Sequence, residues 1–197
     1  MKIFAKIGFL LLVSVCLWAC SDNTDGEPDV SNIKVDLKIQ YLDKELFACK
    51  TEEEVLIFLR KYSDFASQYF NTDAASFPAL ANKLFPQISN SALQEFYQQS
   101  QEKGFFGNQN LENDFKEAFQ HIKYYYPDFK EPKIYTIFTG FFGLGTILNP
   151  ELRVNDSTII VGIDYFMGPK GKYLPDIYDY QIKKMSPAVI VPQTILQ

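Results

Sequence analysis

The chain is poorest in the residues that carry metal and redox chemistry: its 197 residues include one histidine, three cysteines, three methionines and one tryptophan. A single imidazole, His121, excludes a His-Glu-x-x-His zinc helix and any site that needs two histidine ligands. A Ser-His-Asp arrangement would have to be built on that one residue. His121 lies one turn after Glu117 in an aromatic-rich helical stretch, and no nucleophile elbow accompanies it, so it reads as a packing or surface residue. No catalytic residue, metal ligand or cofactor is assigned, and the chain is expected not to be an enzyme. Positive charge is also scarce, with 19 Lys and Arg against 24 Asp and Glu and a net charge of −5. Without a basic patch or stripe, no nucleic-acid partner is expected. Nor is there an apolar run of the roughly 20 residues that span a bilayer.

What is present is concentrated first at the start. Lys2 and Lys6 precede a short apolar core, Ile7 to Trp18, and Leu17-Trp18-Ala19-Cys20 closes it. A basic start, an apolar core of this length and a cysteine in that place make a lipoprotein signal peptide over residues 1–19. Trp18 is an unusual residue for that position. The Cys20 thiol takes a diacylglyceryl group, the leader is cut before it, and the freed amine is acylated with palmitate or a similar chain. At ~0.8 kcal/mol per buried methylene, several chains anchor far more firmly than one. The expected partner is therefore the lipid bilayer, through acylated Cys20. Ser21, where Asp would favour inner-membrane retention, favours the outer membrane of the cell envelope; which face is left open. Cys16 leaves with the leader, so Cys49 has no intrachain disulfide partner, and it reads as a buried thiol.

Residues 20–32 are polar and acidic, with Asp22, Asp25, Glu27 and Asp29 around Gly26 and Pro28, and read as a solvated tether. Residues 33–197 read as one domain. Ile33-Lys34-Val35-Asp36-Leu37-Lys38-Ile39 alternates as a half-buried strand does. Thr51 and Glu54 form a capping box before Val55, Phe58 and Leu59. Ser91 to Lys103 is helical, with Gly104 as a stop, and Leu111, Phe115, Ala118, Phe119 and Ile122 form another apolar stripe that Pro127 ends. Strands follow at Lys133–Phe138 and Thr158–Ile163, then a turn at Gly168–Gly171 and a short helix within Pro175–Met185. Pro187 opens a further element, and the apolar end of the chain reads either as a short helix or as a piece that lacks its packing partner. The fold class is α+β, helices first and a small sheet closing behind them.

Three further constellations give weak signals of chemistry. Gly140-Phe141-Phe142-Gly143-Leu144-Gly145-Thr146 has the glycines of a phosphate loop but no lysine to reach a phosphate, so it reads as a turn. Asp164 closes an apolar strand and, with Asp156, Asp176 and Asp179, could supply acid/base or cation-binding groups; Asp164, Tyr165, Asp176 and Asp179 form the candidate ligand or cleft set, and solvated turn acids are the plainer reading. Tyr124-Tyr125-Tyr126 and Tyr173, Tyr178 and Tyr180 suit either a ligand groove or core and rim packing.

Ile122-Lys123-Tyr124-Tyr125-Tyr126-Pro127-Asp128-Phe129 with Pro132, then Ile160 to Gly168, Tyr173-Leu174-Pro175, Tyr178-Asp179-Tyr180, Lys184-Met185 and Ile190-Val191-Pro192, resemble the gliding-motility-associated lipoproteins of the GldB type. Tyr41-Leu42-Asp43-Lys44-Glu45-Leu46-Phe47 continues the resemblance towards the start. It implies an envelope lipoprotein associated with motility and secretion proteins as partners. It also implies a distant likeness to zinc metallopeptidases, hence a partial, degenerate zincin-like fold whose zinc helix lies downstream. The family continues past the position matching Gln197, so the expected chain lacks the C-terminal part of that domain. Two functions are weighed: a non-enzymatic structural or interaction lipoprotein, and a degenerate or truncated hydrolase-like or glycan-binding domain.

Overall fold

The computed structural model describes residues 26–107, 110–141 and 151–197. The chain divides into two units, Met1–Asn32 and Ile33–Gln197, and the second carries every described helix and strand. Cys20 lies outside the described residues. Among those residues no helix is long and apolar enough to cross a membrane.

Four strands form one mixed sheet: β1 (Ile39–Tyr41), β2 (Lys133–Ile137), β3 (Leu152–Asn155) and β4 (Thr158–Gly162), in the order β1-β2-β4-β3. β1 pairs parallel with β2, Ile39 opposite Ile134, and β2 pairs parallel with β4, Ile134 opposite Ile159. Only β3 is antiparallel, Asn155 opposite Thr158. The central β2 and β4 are buried along nearly their whole length, as parallel strands covered on both faces are. β3 and β4 form a hairpin over Asp156 and Ser157, where the Asn155 side chain accepts the Ser157 backbone N–H at 3.0 Å.

The opening segment departs from its expected strand. Ile33, Val35 and Leu37 are half-buried and Lys34, Asp36 and Lys38 exposed, so the alternation is real. The ladder, however, starts only at Ile39. Upstream backbone is held by side chains instead: Gln120 Nε2 donates to the Ile33 carbonyl at 2.9 Å, and the Asp36 N–H donates to Glu131 Oε1 at 3.3 Å. A strand ahead of the helices is as expected, and β1 joins the strands that follow them in one sheet.

Between β1 and β2 run α1 (Leu42–Ala48), α2 (Glu52–Lys61), α3 (Ser63–Phe70), α4 (Phe77–Ile88), α5 (Ser91–Ser100) and α6 (Leu111–Tyr125). Thr51 caps α2 by accepting the Glu54 N–H at 3.1 Å. Glu54 reaches back to the N–H of Lys50, one residue beyond the usual partner. Three glutamates open α2 and Arg60 and Lys61 close it, complementing the helix dipole. Asn90 caps α5 and Asn110 caps α6. α5 stops at Ser100, short of the expected Lys103.

After β4, a 3-10 run, Ile163–Lys170, bends at Gly168, followed by α7 (Asp179–Ile182), a single turn, and α8 (Ile190–Ile195). The aromatic core centres on Phe138, fully buried just after β2. Its ring lies 5.0 Å from Phe96 and 5.4 Å from both Phe47 and Tyr97. Helices and a small sheet in one unit make the class α+β.

Candidate functional site

In a sheet with parallel strands, chemistry gathers beyond the carboxyl ends, where chain leaves the ladder and polar groups can converge. Here β1, β2 and β4 deliver two buried aspartates and two threonines to that edge. Asp43, Asp164, Thr136 and Thr139 are each at most 1% exposed.

Asp43 sits in the first turn of α1, directly after β1. Its Oδ1 accepts the Thr136 hydroxyl from β2, and its Oδ2 accepts the Tyr97 hydroxyl from α5 at a long 3.4 Å. Burial pushes the Asp43 carboxyl above its ordinary value, against the Thr136 hydrogen bond and the Lys44 charge. Burial and then the Asp43 charge push the Tyr97 hydroxyl up as well. Beside Asp43 lies a cavity of about 160 Å³, walled by Tyr41, Lys44, Gln101, Phe106 and Thr136 among others. The Lys44 ammonium stands over the Tyr41 ring, 4.4 Å from its centroid.

Asp164 follows β4 by two residues and does a different job. Its Oδ1 accepts the Thr139 N–H at 2.8 Å, and its Oδ2 accepts the Thr139 hydroxyl at 2.6 Å and the Phe141 N–H at 3.1 Å. Gly140 and Phe141 both have positive φ, 59° and 49°. Such a turn aims successive N–H groups at one point, where an anion satisfies them. A non-glycine residue such as Phe141 enters this region at a cost, and the carboxylate compensates it. Burial pushes Asp164 up, while the bonds from Thr139 and Phe141 oppose the shift.

The sequence candidates separate by environment. Asp164 and Tyr165 are buried side by side, whereas Asp176 and Asp179 are exposed. Among the described residues no three His, Cys, Asp or Glu are grouped to hold a metal. Tyr124, Tyr125, Tyr126, Tyr178 and Tyr180 are all more than half exposed, on the surface rather than in the core. The glycine segment is described only as far as Phe141; Phe142 to Thr146 lie outside the described residues. Cys49 is half-buried rather than fully so. Its thiol donates to the Glu45 carbonyl at 3.4 Å, and burial pushes its pKa up, away from a reactive thiolate.

Sequence reasoning missed Asp43, Thr136 and Thr139. Asp43 and Thr136 are 93 positions apart, and no local pattern announces such a pair. Thr139 adjoins the glycine segment, and a carboxylate partner for that turn was the signal to look for.

No curated protein and no solved structure matches the chain. The family model described as gliding motility protein GldB matches residues 23–197, which takes in both aspartates and all four strands. With a match over most of its length, the chain belongs to the GldB family of gliding motility proteins.

Proposed function

We propose that this protein is an envelope lipoprotein, held to the bilayer through acylated Cys20, that serves gliding motility and its associated secretion as a non-enzymatic structural or interaction component. Family membership supports the motility association, and the Leu17–Cys20 motif with its basic, apolar leader supports the anchor. The observation that carries the non-enzymatic part is the use made of Asp164. This carboxylate, the strongest acid/base candidate in the sequence, accepts three internal hydrogen bonds that hold the turn at Thr139–Phe141. Such engagement supports a role in holding the fold rather than in acid or base chemistry on a substrate. The outer membrane is the proposed location, on the strength of Ser21.

Replacement of Cys20 by Ala, followed by detergent-phase partitioning, tests the anchor. Loss of partitioning with the leader retained supports it; unchanged partitioning overturns it. Crosslinking of the unmutated protein in membranes tests the interaction role. Specific recovery of motility or secretion proteins supports that role, and recovery of none across several detergents counts against it.

A further inference from the structure

We propose that the cavity beside Asp43 binds a small zwitterion of the amino-acid type, its ammonium on the Asp43 carboxylate and its own carboxylate on the Lys44 ammonium. The site stands apart from the anchoring and motility reading and does not depend on it.

A carboxylate offers about four acceptor positions. Asp43 is 1% exposed, with a close side-chain donor in Thr136, its own backbone N–H, a long contact from Tyr97 at 3.4 Å and the Lys44 charge acting on it. Among the described residues no Lys, Arg or His forms an ion pair with it. Burying this charge is costly; the raised carboxyl pKa is one response to that cost, and a cation that completes the site is another. An ammonium brings three donors and the compensating charge, and the cavity gives it a way in.

Size and charge then narrow the ligand. A volume of about 160 Å³ is room for roughly five waters. That suits a molecule of a few heavy atoms better than a whole nucleotide or sugar chain. A hard divalent cation asks for several oxygen ligands, mostly carboxylates and carbonyls, and among the described residues Asp43 belongs to no group of three or more His, Cys, Asp or Glu. A bare amine would meet the exposed Lys44 ammonium at the cavity wall as a like charge. A ligand that also carries a carboxylate turns that repulsion into a second contact, since Asp43 and Lys44 line the same cavity. Phe106 and Tyr41 leave an apolar wall for a small side chain. The position, beyond the carboxyl ends of parallel strands, is where ligands bind in open sheets of this kind.

The test is a titration of the isotope-labelled full chain in detergent with glycine and alanine, followed by amide chemical shifts. Ethylamine and propionate serve as the two halves of the ligand. Saturable shifts at Asp43, Lys44, Gln101 and Thr136 with glycine or alanine, and weaker shifts with either half, are expected. D43N keeps an oxygen for the Thr136 hydroxyl and should lose binding by more than about tenfold. K44Q, at an exposed position, should weaken it by about fivefold with the fold intact, and stands as the test if D43N does not fold. Absence of saturable shifts, equal binding of ethylamine and alanine, or unchanged binding by K44Q overturns the proposal.

Discussion

Thr139 gives Asp164 both its backbone N–H, at 2.8 Å, and its hydroxyl, at 2.6 Å. Two donors from one residue, joined by the Phe141 N–H, make the carboxylate the fixed point of a left-handed turn. Replacing Asp164 with Asn puts an NH₂ group against donors that need an acceptor, and should cost about 2 kcal/mol in unfolding free energy. The loss depends on pH in a defined direction. Burial raises the folded-state value above the ordinary 3.8, so in the pH window between the two values the native state holds a proton that the unfolded chain releases. This term is fully present below pH 3.8 and is lost as pH rises through the raised folded value. The stability advantage of the unmutated protein over D164N should therefore shrink as pH rises through that window. Urea unfolding at a series of pH values measures it, and a gap that widens with pH would contradict the assignment.

Gly168 has φ +66°, and a Cβ added there would lie 2.8 Å from the Met185 carbonyl oxygen. Backbone cannot move aside as a flexible side chain can. Gly168→Ala should cost about 3 kcal/mol or more, since strain and collision act together. Gly104, at φ +104° with nothing within 4 Å, isolates strain alone. Gly104→Ala should cost about 1–2 kcal/mol. Urea midpoints at unchanged slope compare the two, and equal losses would mean that the Met185 contact is readily relieved.

Thr51 is the one cap that both the sequence and the structure place at the start of α2. Thr51→Ala should lose about 1 kcal/mol and Thr51→Ser only a few tenths, because serine keeps the oxygen that accepts from Glu54. Thermal unfolding of the two variants distinguishes a hydroxyl effect from a packing effect of the methyl group.

That cap shows which parts of the fold were legible. Local signals were read well: Thr51 before Glu54, the Leu111 to Ile122 stripe, Pro127 beyond α6. Each depends on residues within a turn or two of one another. The β-ladder was read less well, because β1 finds its partner far along the chain, Ile39 opposite Ile134, and sequence alternation does not say where pairing begins. β3 is four residues long and was passed over, although Asn155-Asp156-Ser157 is turn chemistry of the kind that joins hairpin strands. At the site, Asp164 was legible as a strand-end carboxylate, but its engagement with Thr139 was not. Asp43 carried no signal by itself, since its burial is made by Thr136 and Tyr97 from elements distant in the chain.

Lys123 and Glu131 form an ion pair at 2.5 Å, with side chains only 21% and 16% exposed, and they also fasten the extended segment that opens the domain. Glu131 accepts the Asp36 N–H at 3.3 Å, and Lys123 donates to the Lys34 carbonyl at 3.3 Å. Burial acts to raise the Glu131 pKa, but the Lys123 hydrogen bond and the backbone donors outweigh it, and the net shift is downward. The sign is opposite to that of Asp164. This contribution is present above the ordinary 4.5 and is lost as pH falls through the lowered folded value. Glu131→Gln should cost about 2 kcal/mol at neutral pH, and the cost should fade in acid. The exposed pair Lys61–Glu45, with side chains 56% and 44% exposed, provides the comparison: Glu45→Gln should change stability by no more than about 1 kcal/mol. Hydrogen exchange at Asp36 gives a local reading, with faster exchange expected in E131Q and none of that acceleration in E45Q. Equal exchange at Asp36 in the two variants would mean that the half-buried Ile33, Val35 and Leu37, not the ion pair, hold the segment.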